Sequence, residues 1–248
     1  MLAATVARKP LLAFDFDGTL APIVEQPDDA RVPPEVALRL QALTPHLPVA
    51  IVTGRSIADV RGRLGFTPHY IVGNHGAEQD LAEGDPAPVS QALEPLRARL
   101  RQRQAELAGL GVAVEDKQHS MALHYRLSPQ RELAHALIQD LLAPPDAALR
   151  IFAGKMVVNI SPADSADKAD AVKALLARCG ASCALFAGDD VNDEPVFIAA
   201  APTWLTLRVG RDERHSDARY FVHGPHEMAL LLDRILALLP AAGASRPA

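Results

Sequence analysis

The chain is 248 residues long, 49% hydrophobic and 22% charged, with a formal net charge of −5. That length buries a sizeable core and accommodates one large domain with a smaller insertion, while the acidic balance removes the electrostatic footprint by which proteins hold nucleic-acid backbones. No stretch approaches the roughly 18 consecutive apolar residues of a membrane span, and residues 1–9 carry no long apolar region, so a soluble cytoplasmic protein with neither membrane nor nucleic-acid partners is expected.

The first strong element is Leu11-Leu12-Ala13-Phe14, too short for a helix and apolar enough for a buried parallel strand. It runs directly into Asp15-Phe16-Asp17-Gly18-Thr19-Leu20. Two carboxylates two residues apart fall on one side of an extended chain, at the strand end where open α/β sheets place their ligand crevice. One carboxylate there can attack phosphorus, and the other can pass a proton to the leaving oxygen and later take one from water. Gly18 permits the sharp turn, and Thr19 offers a hydroxyl and an N–H. Residues 25–34, rich in proline and acid, mark a loop before a helix over 35–43.

A second apolar strand, Val49-Ala50-Ile51-Val52, ends in Thr53-Gly54-Arg55, which brings a hydroxyl and a glycine N–H to the same edge, ready for phosphoryl oxygens. Gly73-Asn74-His75-Gly76 follows, and Gly84-Asp85-Pro86-Ala87-Pro88 reads as a hinge or loop. Leu93, Leu96, Leu100 and Leu107 form one stripe of a helix over 89–107. Arg97, Arg99, Arg101 and Arg103 spread around that helix and are expected to be solvated. Strands over 112–115 and 121–126, a helix over 129–142 and strands over 149–152 and 156–160 complete an α-β-β-α-β-β order.

Lys168 follows Asp164 and Asp167 and opens a helical pattern through Val172, Leu175 and Leu176; its ammonium can meet a phosphate or the nucleophile's charge. Cys179 and Cys183 are too few for a zinc site and are expected as core thiols. The strand Ala184-Leu185-Phe186-Ala187 runs into Gly188-Asp189-Asp190-Val191-Asn192-Asp193-Glu194, a second acidic cluster. If the two acid-bearing strands are neighbours, Asp15, the Asp17 carbonyl and Asp189 supply hard oxygen ligands that suit magnesium better than zinc. Edge strands are expected over 204–209 and 219–222, a closing helix over 225–239, and a disordered tail over 241–248.

The ordered set of Asp-x-Asp-x-Thr, Thr, Lys and Gly-Asp-x-x-x-Asp resembles the haloacid dehalogenase superfamily of phosphotransferases. The resemblance implies an α/β fold, a doubly wound, Rossmann-like parallel-sheet core with an inserted smaller α/β cap. It makes Asp15 the nucleophile and Asp17 the general acid/base, sets Thr53, Lys168, Gly54 and Arg55 around the phosphoryl group, and gives Mg2+ the ligands Asp15, Asp17, Asp189 and Asp190, with Asp193 as the other candidate for the supporting carboxylate. The boundaries then fall at 1–78 and 158–240 for the core and 79–157 for the cap, which chooses the substrate.

The finer motifs, Asp-Phe-Asp-Gly-Thr-Leu-Ala-Pro-Ile at 15–23, Gly73-Asn74-His75-Gly76, Glu115-Asp116-Lys117, Leu123-His124-Tyr125-Arg126 and Gly154-Lys155-Met156-Val157-Val158, are similar to those of the trehalose-6-phosphate phosphatase family over about 11–235. Sugar contacts are thereby implied at Asn74, His75, Gly76, Glu115, Lys117 and Arg126. Asn159 stands where that family's Val-x-Glu-x-x-Pro pattern has a carboxylate, and Asn192 where it commonly has threonine. The expected activity is hydrolysis of trehalose 6-phosphate by a monomer. A phosphatase of sucrose phosphate or glycosyl-glycerate phosphate remains as the alternative, as does a non-hydrolytic phosphoacceptor or sugar-phosphate-sensing module.

Overall fold

The computed structural model describes residues 1–79, 90–154, 156–210 and 215–240. The expected hinge at 84–88, Lys155 of the Gly-Lys motif and the expected tail at 241–248 lie outside these residues. Two compact units divide the chain: the larger comprises 1–80, 168–189 and 193–248, the smaller 81–167 and 190–192.

In the larger unit, strands β1 (Leu11–Phe14), β2 (Val49–Val52), β3 (Tyr70–Gly73) and β4 (Glu78–Gln79) lie to one side and β9 (Ala184–Gly188), β10 (Leu205–Val209) and β11 (Tyr220–Val222) to the other. The sheet order is β11-β10-β9-β1-β2-β3-β4, parallel except for the β3–β4 pair. The apolar strands have no polar face because both faces are covered. Leu12, Phe14, Val49, Ile51, Leu185 and Leu207 point into one core with helices α1 (Leu2–Val6), α2 (Pro34–Leu43), α3 (Ile57–Arg61) and α9 (Met228–Leu238). Leu11, Ala13, Ala50, Val52, Ala184 and Phe186 point into another with α7 (Lys168–Cys179) and α8 (Glu194–Ala199). Within the sheet the path begins at β1, runs outward through β2 and β3 to β4, then returns to β9 on β1's other flank. The β1/β9 boundary is thus the point where the strand order reverses, the usual place for a ligand crevice.

The smaller unit has an antiparallel sheet ordered β5-β6-β8-β7, from β5 (Ala113–Asp116), β6 (Met121–His124), β7 (Leu149–Gly154) and β8 (Val157–Pro162). Helices α4 (Glu94–Gln102), α5 (Gln104–Gly109) and α6 (Arg131–Leu142) share one core with Met121, Leu123, Val158 and Ile160. The period of two then sends Glu115, Ala122, His124 and Asn159 to the opposite face, and the register sets Glu115 against Ala122 and Ala122 against Asn159.

The strand at 204–209 is interior, not an edge, because β10 pairs with both β9 and β11; its polar residues mimic a half-solvated pattern, yet Thr206 accepts the Arg219 N–H and Arg208 pairs with Glu194 at 2.7 Å. The helix expected over 89–107 is broken at Arg103 into α4 and α5. Arg97 is buried, held by Asp116 and Glu94. The boundary expected at 157/158 falls at the start of β8, which belongs entirely to the smaller sheet. Cys183 is buried and Cys179 half-buried, and both are free thiols. No helix among the described residues is long and apolar enough to cross a membrane.

Candidate active site in the larger unit

Asp15 extends β1 by one residue, its N–H donating to the Ala187 carbonyl at 2.9 Å. It therefore keeps the parity of Leu11 and Ala13 and faces the α7 side. There Lys168, the first residue of α7, donates from Nζ to Asp15 Oδ1 at 2.8 Å and to Asp193 Oδ1 at 2.7 Å. The short helical turn Val191–Asp193 folds Asp193 back onto β9's end, where Asp193 Oδ2 accepts the Asp189 N–H at 2.9 Å. Gly18 has φ +81°, and a Cβ there would lie 2.1 Å from Asp189 Oδ2, so only glycine lets this turn pass the carboxylate.

One oxygen from each of Asp15, Asp189 and Asp193 lies within 4.8 Å of the others. All three carboxylates are buried, and Lys168 is the ammonium bonded to two of them. Burial pushes the Asp15 carboxyl well above the usual carboxylate range, Lys168 opposes that shift, and the nearby Asp193 and Asp189 charges add to it. For Lys168 burial disfavours the ammonium, but Asp15 and Asp193 outweigh it and hold its pKa above that of ordinary lysine. Three carboxylates facing one ammonium leave an excess of negative charge in a low-dielectric site, and all-oxygen donors suit a hard divalent cation. The residues present therefore fit a metal.

Asp17 lies outside this group. Arg55 grips it through Nε to Oδ2 at 2.7 Å and Nη2 to Oδ1 at 2.8 Å. Arg55, expected around the phosphoryl group, also donates to Asp59 and to the Pro27 carbonyl. Thr53 is fully buried at the end of β2, and its Oγ1 accepts the Arg55 N–H at 3.1 Å. Gly54 sits under the His75 ring, where a Cβ would come within 2.3 Å of Cε1. Asn74, His75 and Gly76 all have positive φ, so this tight turn beside β3 rests on residues that tolerate the left-handed region or, for His75, are constrained to it. Asn74 Nδ2 donates to Glu78 Oε2 at 2.9 Å.

Asp190 is half-buried and is not part of the carboxylate cluster; Asp193 is. The acidic run signals that several carboxylates arrive after β9, but the turn that selects Asp193 is tertiary information.

In the smaller unit, Glu115 Oε2 lies 2.8 Å from His124 Nε2 and 3.6 Å from Lys117 Nζ. Burial opposes ionisation of Glu115, but His124 and Lys117 outweigh it and draw its pKa below the ordinary value. His124 stands in the Leu123-His124-Tyr125-Arg126 motif but is not among the residues implied to contact sugar; the hairpin register sets it diagonally from Glu115 on one face. Arg126 falls beyond β6, half-buried in the turn after it, and Asn159 is buried on the face shared with Glu115.

A family model described as trehalose-phosphatase matches residues 13–226. The chain belongs to the trehalose-phosphatase family. Among curated relatives, the trehalose-phosphate phosphatase of Mycobacterium tuberculosis is 31% identical over 93% of this chain and 62% of its own length. The chain thus spans about three fifths of that relative. Among solved structures, the C-terminal domain of C. albicans trehalose-6-phosphate phosphatase superposes with a TM-score of 0.81 at 20% identity, covering 96% of each chain. A phosphatase of the haloalkanoate enzyme superfamily from Bacteroides thetaiotaomicron superposes with a TM-score of 0.62 at 15% identity, covering 93% of this chain and 96% of that one. These structures establish the fold alone, an α/β parallel-sheet unit and a second unit with an antiparallel sheet, and membership of the family suggests a divalent metal, which the acidic cluster could hold.

Proposed function

We propose that this family member is a magnesium-dependent phosphatase that converts trehalose 6-phosphate to trehalose and phosphate through an aspartyl-phosphate. The observation that carries the reading is the buried Asp15–Lys168–Asp193 array beside Asp189 at the sheet's reversal point.

Asp15 attacks phosphorus, a bond forms between its oxygen and phosphorus, and the bond from phosphorus to the sugar oxygen breaks. Asp17 gives its proton to the departing oxygen. Water then attacks the phosphorus of the aspartyl-phosphate, Asp17 takes a proton from it, and the bond to Asp15 breaks to release phosphate. Thr53, the Gly54 N–H and Lys168 bind the phosphoryl oxygens. Asp15, Asp189 and Asp193, with the Asp17 carbonyl, would hold Mg2+, which when bound offsets the charge of the phosphoryl group.

Sugar recognition falls to Asn74, His75 and Gly76 in the larger unit and to Glu115, Lys117, Arg126 and Asn159 in the smaller, the latter set offering both acceptors and donors to hydroxyls. Asn159, an amide where the family pattern has a carboxylate, supports a second reading in which another sugar phosphate is the substrate. The test is phosphate release with magnesium across trehalose 6-phosphate, sucrose 6-phosphate, glucose 6-phosphate and mannosylglycerate phosphate. Preference for trehalose 6-phosphate above about tenfold in kcat/KM, roughly 1.4 kcal/mol in transition-state binding, supports the first reading. Preference for another substrate supports the second, and the absence of turnover on every substrate contradicts both.

A further inference from the structure

Asp17 ends a chain of five side chains of alternating charge: Asp17, Arg55, Asp59, Arg63 and Asp28. Arg55 spans the first three, gripping both Asp17 oxygens at 2.7 and 2.8 Å and Asp59 Oδ2 at 2.7 Å. Arg63 continues it, bonded to Asp59 Oδ1 at 2.9 Å through Nε and to Asp28 Oδ1 at 2.9 Å through Nη2. The Arg55 side chain is 12% exposed, its Nη2 also donates to the Pro27 carbonyl at 2.9 Å, and its guanidinium lies 5.2 Å from the centre of the Phe16 ring. Phe16 itself is fixed in the core.

Such a cation is held on every side. The ring beneath it, the carboxylate behind it and the loop carbonyl beside it leave the guanidinium one orientation, and a planar fork imposes that orientation on the carboxylate it grips. A cation meant to bind substrate phosphate directly would instead present its fork to the crevice; this one presents it to Asp17.

We infer that Arg55 is a positioning residue for Asp17, fixing the carboxylate beside the reacting phosphorus, and is not a phosphate ligand. The inference rests on the acid/base role of Asp17 proposed above. During turnover Asp17 gives one oxygen to the reacting groups and pivots on the bond that Arg55 keeps. The proton passes from Asp17 to the sugar oxygen as its bond to phosphorus breaks, so losing Arg55 weakens the step only where the leaving oxygen needs that proton.

The test compares trehalose 6-phosphate, whose alkoxide leaving group requires protonation, with p-nitrophenyl phosphate, whose phenolate leaves without it. Single-turnover release of sugar or nitrophenolate is followed in the intact chain with magnesium. Arg55→Ala is expected to slow sugar release at saturating substrate on the order of a hundredfold, within the range of a general acid, with little change in KM. Its loss on the aryl substrate is expected to be at least tenfold smaller. Arg55→Lys, which keeps a point charge but not the fork, recovers part of the sugar rate. Equal losses on both substrates, or a raised KM with unchanged kcat, overturn the inference. Should Arg55→Ala fail to fold by circular dichroism, Arg55→Lys and Asp59→Asn carry the same comparison, and parallel losses on both substrates in those variants overturn it. An Asp15→Asn chain that still releases the sugar contradicts the aspartyl-phosphate reading itself, independently of Arg55.

Discussion

Asp15 and Lys168 are 153 positions apart in sequence and 2.8 Å apart in space, and the local pattern around each names it. A carboxylate at the end of an apolar strand and a lysine opening an amphipathic helix are both visible in the sequence; which acidic residue joins them is not, because Asp193 is selected by the turn after β9. Gly18 is the residue on which the arrangement depends most narrowly, since a methyl group there would occupy the space of the Asp189 carboxylate. Gly18→Ala is expected to leave the circular dichroism spectrum native while lowering kcat roughly a hundredfold, the scale of an ångström-sized misplacement at a reacting centre. A magnesium titration of activity should shift to weaker binding in the same variant.

At the scale of elements, apolar runs identify β1, β2 and β9 because strands covered on both faces have no polar residues to disguise them. β10 misleads because Thr206 and Arg208 look like solvent-facing positions until their partners are known. The same limit applies to Arg97 on α4, whose burial depends on Asp116 of β5. Arg97→Ala is expected to destabilise the smaller unit by about 2 kcal/mol in urea unfolding, below the range for a fully buried pair because its partners are part-exposed. Asp116 also has a pH signature: the Arg97 hydrogen bonds hold its folded pKa below the ordinary value, against a smaller effect of burial. Ionised Asp116 thus favours the folded state above its unfolded pKa, and this contribution is lost as pH falls through the folded pKa. Urea midpoints measured from neutral to acidic pH should fall less steeply in Asp116→Asn than in the native chain. In the larger unit, Phe186 is fully buried and meets Phe197 edge to face at 5.7 Å; Phe186→Ala is expected to cost about 3–5 kcal/mol.

For the whole molecule, the order of strands, helices and acidic turns is written along the chain, but the point where the smaller unit ends is not. β8 begins after a Gly-Lys motif, and its Val158-Asn159-Ile160-Ser161 alternation puts apolar side chains on the face shared with the helices and polar ones, themselves buried, on the other, unlike the continuous apolar strands of the core. A metal held by Asp15, Asp189 and Asp193 binds only the larger unit, so calorimetry should show magnesium raising the transition of that unit. At a hundred times its dissociation constant the added stability is about 2.7 kcal/mol, and a chelator should remove both the shift and the activity. As the nucleophile, Asp15 becomes covalently phosphorylated during turnover. Rapid acid quench during turnover of trehalose 6-phosphate with magnesium, followed by peptide mapping, tests it directly. A transient acyl phosphate is expected on the peptide carrying Asp15 and absent from Asp15→Asn; phosphate release at full rate with no phosphorylated Asp15 would rule out Asp15 as the nucleophile.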